Sequence, residues 1–464
     1  MLETSHWIEG KDRVLPEVQG SRFLPLLQFF LRYPIFLLVF GPPEFKASVT
    51  GVETSQAHFD LWNVLQVGWL TIVAVRAIGR LSTARSVLIP KQSRSILRLF
   101  LFLGLVFLAS VAYSPGRVIS LEFVIIYSLT MICMVEFVAD AYRNPPNWLQ
   151  CIFQLRFTSL LLLVAVVLTI PFAPTLVMFV FPGVGIRLLG GSVAPMGVCP
   201  SIVAIVSAYT FLNSLESRVR SALFFLVGLA GTLVTQARGA ELSLFLVLAV
   251  LVLSWARTNR KTAYMLVSIS MAAILLAGAT IGTIGGDRIW KRFNRGEDTE
   301  GIVTASGRTV IWTEIIEDCL THPQGLGYIA GIRQTHRVGS ATSMHDLLHR
   351  NGGVDNSFIE ILGSAGWLAL ALYLIILAKT IVLGMRSLKK LVYLSPSSAI
   401  EFRHSLHCAL LLLMFCLAEG MESSGFATPL QEPFYLQIVL IAMILGASGS
   451  VLIEFRPRHP SLAR

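Results

Sequence analysis

Apolar stretches of about 20 residues recur along most of the chain and alternate with short polar connections. A helix of that length crosses the hydrocarbon core of a bilayer. The pattern predicts an all-α, polytopic membrane protein with about 12 transmembrane helices. These helices are expected near residues 23–40, 61–79, 96–114, 119–139, 157–181, 197–212, 219–235, 240–256, 263–284, 357–383, 405–421 and 433–453.

Two of the predicted helices are interrupted. Arg32 and Pro34 fall inside the first, and Pro171 and Pro174 fall in the second half of the fifth, where they are expected to kink or break it. Clear charges in the middle of a span are few. They are Arg32, Glu136 and Lys379.

One long polar stretch, residues 285–356, separates the ninth predicted helix from the tenth. It divides the chain into an N-terminal transmembrane bundle (1–284), this loop (285–356) and C-terminal transmembrane helices (357–464). Within the loop, apolar residues follow helical spacing over residues 310–320 while acidic residues face elsewhere, which predicts an amphipathic helix. A loop of this length can close over a substrate at the bilayer surface, so we place the candidate chemistry there.

The composition agrees with a membrane protein, because 54% of the 464 residues are apolar and only 14% are charged, against about 25% charged residues in soluble proteins. The formal net charge is +10. The basic residues lie mainly in alternate loops, which indicates membrane orientation rather than nucleic-acid binding. This bias predicts that both termini are cytoplasmic and that the long loop lies outside, in the periplasm or, in a cell with one membrane, in the extracellular space. An enzyme on that face has no ATP and needs a donor whose energy travels with the substrate.

Two arginines at the predicted outer face are candidates for phosphate binding. Arg238 lies in the junction between two spans, and Arg308 lies immediately before the amphipathic run. A guanidinium matches phosphate oxygens in a bidentate fork, and a helix start also attracts anions. An arginine that reaches the lipid head groups, or one in a solvated loop, would explain the same positions, so both readings stay open.

Asp355 and Asn356 stand directly before the tenth predicted helix. Either residue type caps a helix N-terminus well, and a carboxylate at the membrane surface could also act as general base on a sugar hydroxyl. Glu360, Glu419 and Glu422 are reserve carboxylates near the same face. The histidines of the loop show no compact metal-ligand pattern, so we expect no metal site.

Five short motifs surround the long loop in a fixed order. They are residues 187–191 (RLLGG), 236–240 (QARGA), 306–308 (SGR) with Trp312, 323–327 (PQGLG), and 355–357 (DNS) followed by Gly363, Gly366 and Trp367. Their order, spacing and placement resemble the O-antigen ligase and polymerase superfamily of bacterial membrane glycosyltransferases.

The resemblance implies an enzyme of the bacterial inner membrane with the long loop in the periplasm. It also implies a metal-independent transfer, without a cofactor, of an oligosaccharide or polysaccharide from undecaprenyl pyrophosphate to a hydroxyl acceptor. That acceptor would be a glycan or the lipid A core. Arg238 and Arg308 match the arginines expected to hold the pyrophosphate and assist catalysis, and Arg187 and Asn356 are expected to bind substrate. Asp355 stands where a ligase has the histidine that assists the acceptor, and a carboxylate there can accept a proton.

A ligase-like transferase is the leading hypothesis. The alternative is an O-antigen or exopolysaccharide polymerase that joins lipid-linked repeat units, which Asp355 keeps open. A polysaccharide transporter or a noncatalytic assembly protein is the second alternative, although we see no internal repeat of the kind many transporters contain. The expected partners are the lipid-linked donor, the acceptor and membrane lipids, with no nucleic acid.

Overall fold

The computed structural model describes residues 23–33, 36, 61–83, 89–144, 146–172, 178–181, 185–188, 193–235, 237–256, 308–329, 356–392, 397–421 and 432–454. Nearly all of these residues are helical. Seven of the described helices are long and apolar enough to cross a membrane, and two further apolar helical stretches, Gly197–Leu212 and Pro433–Gly449, are shorter. The chain is therefore a multi-pass membrane protein.

The helices are numbered in chain order. They are α1 (Phe23–Arg32), α2 (Leu61–Thr83), α3 (Lys91–Val111), α4 (Arg117–Arg143), α5 (Trp148–Thr169), α6 (Val193–Leu212), α7 (Arg218–Thr235), α8 (Arg238–Ala256), α9 (Arg308–Thr321), α10 (Ser357–Val392), α11 (Ser397–Glu419) and α12 (Glu432–Glu454). Two short strands, β1 (Met178–Phe181) and β2 (Gly185–Leu188), pair antiparallel. The predicted span 263–284 lies outside the described residues, so the count of about 12 transmembrane helices stays a prediction.

The fifth predicted helix, 157–181, is wrong at both ends. α5 begins earlier, because the side chain of Asn147 accepts a hydrogen bond from the backbone N–H of Gln150 (2.9 Å) and caps the helix. α5 ends at Thr169, since Pro171 has no N–H with which to continue the helical hydrogen bonds. The last residues of the predicted span form β1 instead, so the described chain is all-helical apart from this one hairpin.

α12 forms the centre of the bundle. Every side chain from Pro433 to Gly449 is buried, and the helix packs against α4, α10 and α11. A helix that is apolar around its whole circumference needs such a position. On α3, by contrast, large apolar side chains such as Leu101, Phe102 and Leu105 are exposed on the protein surface, which suits contact with lipid tails.

Contacts between helix termini define two ends of the bundle. At the first end, the start of α6 meets the start of α8, where Gly197 lies against Ala237 and Ala240. At the second end, the indole of Trp255 in α8 donates a hydrogen bond to the carbonyl of Leu212 in α6 (3.1 Å). The two helices are therefore parallel.

α11 runs in the opposite direction to α6. Its first half lies at the second end, where His404 Nδ1 is 2.9 Å from the hydroxyl of Tyr209. Its last turn therefore reaches the first end, where the Gly420 carbonyl accepts a hydrogen bond from the N–H of Ser357 at the start of α10 (2.8 Å). We call the first end, with Gly197, Ala237 and Gly420, the loop end and the second the distal end.

Candidate functional site

Residues 322–329, which we call the Pro-Gly segment, follow α9 and dock against α10 through backbone hydrogen bonds. The N–H of Leu326 donates to the carbonyl of Gly363 (2.7 Å), and the N–H of Gly327 donates to that of Ser364 (2.8 Å). In return, the N–H of Trp367 donates to the carbonyl of Pro323 (3.1 Å). The segment thus pairs with α10 within its first three turns, at the loop end.

A break in α10 makes this pairing possible. Gly366 has φ +79° and ψ −176°, a conformation essentially restricted to glycine, which interrupts the helical hydrogen bonds. A Cβ at Gly366 would collide with the carbonyl oxygen of Pro323, so the backbones could not approach as they do. The glycine therefore opens α10 at the place where the Pro-Gly segment binds it.

The opposite side of the Pro-Gly segment is held by the end of α3, the start of α4 and the turn between them. The N–H of Tyr328 donates to Ser110 Oγ (3.0 Å), and Ser120 Oγ donates to the Tyr328 carbonyl (2.8 Å). The ring of Tyr328 stacks on that of Phe107 with centroids 3.9 Å apart. Tyr113 also donates its hydroxyl proton to the Gln324 carbonyl (2.6 Å). The segment is clamped between two parts of the bundle that are far apart in the sequence.

α9 lies against the start of α10 through a small apolar cluster of Ile315, Cys319 and Leu362, all buried. The indole of Trp367 donates to the Cys319 carbonyl (3.2 Å), which joins the end of α9 to the break in α10. Burial raises the pKa of the Cys319 thiol to about 11, so it stays protonated and is unsuited to act as a nucleophile. Arg308 is the first residue of α9, and the structure describes its backbone only.

Asn356 caps α10. Its Oδ1 accepts hydrogen bonds from the N–H groups of Phe358 (2.9 Å) and Ile359 (3.1 Å), and its side chain is buried. The capping role considered for this residue is therefore present, and only the Nδ2 group is left to donate to a substrate. Asp355, the preceding residue, lies outside the described residues.

Arg238 is the first residue of α8 and is half-buried at the loop end. Its Nε and Nη2 atoms lie out of contact with solvent. A guanidinium at a helix N-terminus adds its charge to the positive end of the helix dipole, which favours an anion there. Close packing of Gly197 against Ala237 and Ala240 brings α6 within contact distance of this helix start.

Arg187 lies in β2 opposite Phe179, and β2 contacts α7; the structure describes the backbone of Arg187 only. Glu360 and Glu419 are both buried at the loop end, on the first turn of α10 and the last turn of α11. Arg238, Asn356 and the carboxylates of Glu360 and Glu419 therefore all lie at the loop end. α9 packs against the same part of α10.

The sequence did not point to the side chains that hold the Pro-Gly segment from α3 and α4. Ser110 and Ser120 are buried serines near the ends of apolar helices, and their hydroxyl groups meet the segment more than two hundred residues away. The only sequence signal for this contact is that both serines are polar residues at the outer ends of predicted transmembrane helices. Among the described residues, no group of three or more His, Cys, Asp or Glu is placed to hold a metal ion, and metal independence stays a prediction.

Residues 223–374 of the chain match the family model described as O-antigen ligase. The matched segment runs from α7 through α8, α9 and the Pro-Gly segment into α10, where it ends at residue 374, beyond the break at Gly366. No curated protein matches the chain. The family match confirms the superfamily resemblance that the motifs indicated.

Proposed function

We propose that the protein transfers an oligosaccharide or polysaccharide from undecaprenyl pyrophosphate to a hydroxyl acceptor at the periplasmic face. The match of residues 223–374 to the O-antigen ligase family model supports this proposal. The acceptor is a glycan or the lipid A core. The energy of the reaction is carried by the donor's pyrophosphate linkage, and the proposed transfer uses no metal ion and no cofactor.

The observation that carries this proposal is the arrangement of the matched segment. Three parts of this segment lie at the loop end although they are distant in sequence: the start of α8, the Pro-Gly segment and the cap of α10. A site built from several elements at one end of the bundle can face head groups and water together. A lipid-linked substrate needs both environments, because its tail is apolar and its glycan is polar.

In the proposed reaction the acceptor oxygen attacks the anomeric carbon of the donor glycan, and the bond from that carbon to the pyrophosphate oxygen breaks. The acceptor proton passes to Asp355. Arg238 and Arg308 hold the leaving pyrophosphate and stabilise the charge that builds up on it. Arg187 and Asn356 contact the substrate. The proton and the leaving group are thereby both accounted for without a metal ion.

A polymerase is the second candidate. It uses the same donor chemistry, but the attacking hydroxyl belongs to another lipid-linked repeat unit. The observation in its favour is Asp355, which replaces the histidine expected at this position of a ligase. The carboxylate accepts a proton in either reaction, so the two candidates differ in acceptor rather than in the bonds that change.

Deletion of the gene, followed by mass spectrometry of the lipid-linked glycans, tests the proposal and separates the two candidates. Long polymers stranded on undecaprenyl pyrophosphate beside an unmodified acceptor support a ligase. Single repeat units on that lipid support a polymerase. An unchanged lipid-linked pool contradicts both, and complementation with the wild-type gene must restore the original pool.

A further inference from the structure

A groove with a volume of about 480 Å³ opens between the first turns of α3 and the last turns of α10. It lies toward the distal end, because α10 starts at the loop end and the groove begins at Lys379, well past the break at Gly366. Four of the residues that line it are basic, and none of its lining residues is acidic. They are Lys379, Arg386, Lys389 and Lys390.

Three of these cations form a stripe along α10. Lys379, Arg386 and Lys390 are seven and four residues apart, which places them on one face of the helix. At a rise of 1.5 Å per residue the stripe is about 16 Å long. All three side chains are exposed. Like charges in one groove repel each other, so a bound anion would lower the free energy of this arrangement.

The remaining lining makes the groove amphipathic. Ile96 of α3 and Val382 and Leu383 of α10 are apolar, while Gln92 and Ser95 of α3 offer neutral polar groups. Lys379 lies about two turns deeper along α10 than Arg386, and a lysine at such depth extends its long stem toward the head-group layer. A soluble phosphate would use the cations only, whereas a lipid uses the cations for its head group and the apolar wall for its chains.

We propose that this groove binds an anionic phospholipid in the leaflet at the distal end, and that its preferred head group carries two phosphates, as in cardiolipin. Basic grooves between transmembrane helices are suited to such head groups. Arg386 matches one phosphate with a bidentate fork, and Lys389 and Lys390, about one turn further along α10, supply point charges for the second phosphate. Lys379, about two turns away on the other side of Arg386, adds positive charge to the deeper part of the groove. The groove lies away from the loop end, so this proposal does not depend on the transfer reaction.

The test uses the full-length protein purified in a zwitterionic detergent and titrated with tetraoleoyl cardiolipin, with binding followed by native mass spectrometry. Phosphatidylcholine is the neutral reference lipid. The groove variant is Lys379→Gln/Arg386→Gln/Lys390→Gln. The matched control removes the same charge from exposed residues of α3 that do not line the groove, in the variant Lys91→Gln/Arg94→Gln/Arg98→Gln.

We expect the wild type to bind cardiolipin in preference to phosphatidylcholine, and the groove variant to lose about 100-fold in affinity. The control variant should stay within about threefold of the wild type, because its charges do not contact the lipid. The single variants Lys379→Gln and Lys390→Gln should fall between these limits. Thermal unfolding without lipid checks that each variant is folded.

Three results would overturn the proposal. If the groove and control variants lose cardiolipin affinity equally, the lipid is attracted by the general positive charge of the surface and not by this groove. Displacement of cardiolipin by inorganic pyrophosphate at equal concentration would mean a site for soluble phosphates. Equal binding of cardiolipin and phosphatidylcholine would mean that the charges of the groove play no part.

Discussion

At the scale of single residues, Arg238 is the side chain on which the proposed chemistry most depends. It combines a guanidinium with the first turn of α8, and its Nε and Nη2 atoms are shielded from solvent at the loop end. Shielding from water strengthens the attraction between a guanidinium and a phosphate. We therefore expect the shape of the side chain to matter as well as its charge.

Replacement of Arg238 by lysine tests this expectation. Lysine keeps the charge but loses the bidentate fork, so we predict a transfer rate about 100-fold below that of the wild type, with Arg238→Ala lower still. Transfer is measured in reconstituted vesicles with a lipid-linked donor. Arg218→Ala is the matched control, because Arg218 is the exposed first residue of α7 at the distal end. Full activity in Arg238→Lys would show that the fork is unimportant.

Asn356 has two proposed roles that substitution can separate. Aspartate caps a helix as well as asparagine does, whereas alanine loses about 1 kcal/mol of capping. We predict that Asn356→Ala lowers the unfolding temperature and that Asn356→Asp does not, while both lower transfer because both lack the Nδ2 donor. If Asn356→Asp transfers at the wild-type rate, Asn356 only caps α10, and the prediction that it binds substrate is wrong.

At the scale of elements, the Pro-Gly segment and the break in α10 depend on each other. Gly366 opens the helix, and the Pro323 carbonyl takes the N–H of Trp367 that the break has released. The sequence analysis already singled out the glycines and the proline that take part in this pairing, Pro323 and Gly366 among them. It could not reveal the pairing, because Ser110 and Ser120 complete it from more than two hundred residues away.

Gly366→Ala should separate the Pro-Gly segment from α10. An alanine in this backbone conformation costs about 1–3 kcal/mol before its collision with Pro323 is counted. We predict a lower unfolding temperature and faster amide hydrogen exchange at Leu326 and Gly327. Gly68→Ala is the control, since a Cβ there meets no atom within 4 Å and alanine is favoured over glycine inside a helix. Equal stabilities of the two variants would contradict the docking.

The boundaries of elements show where sequence reasoning succeeded and where it failed. The prolines correctly indicated an interruption at the end of α5, but apolar content alone extended that helix into β1. The sequence analysis did not identify Asn147 as the residue that caps the start of α5. Hydropathy measures burial in lipid, whereas caps and proline breaks depend on backbone hydrogen bonds, so the two signals disagree at helix ends.

At the scale of the whole molecule, two of the three mid-span charges have a defined place in the structure. Glu136 pairs with Arg80 at 2.7 Å between α2 and α4, and Lys379 lines the basic groove. The all-helical class and the multi-pass character followed from the apolar pattern, because bilayer thickness fixes helix length. Orientation rests on the distribution of basic residues and stays a prediction.

Cysteine labelling tests that orientation. All six native cysteines are buried, so background labelling should be low. Gln324→Cys at the loop end and Lys389→Cys at the distal end are both at exposed positions. In spheroplasts we predict that a membrane-impermeant maleimide labels Gln324→Cys directly and labels Lys389→Cys only after the membrane is permeabilised. The reverse pattern would place the loop end in the cytoplasm.

The central claim is that the loop end binds the donor's pyrophosphate and carries out the transfer. The most direct test is the transfer rate of the purified Arg238→Ala/Arg308→Ala double variant, reconstituted with an undecaprenyl pyrophosphate-linked glycan and an acceptor. We predict no measurable transfer by the double variant, beside normal transfer by the wild type and by Arg218→Ala. Transfer by the double variant at the wild-type rate would contradict the claim.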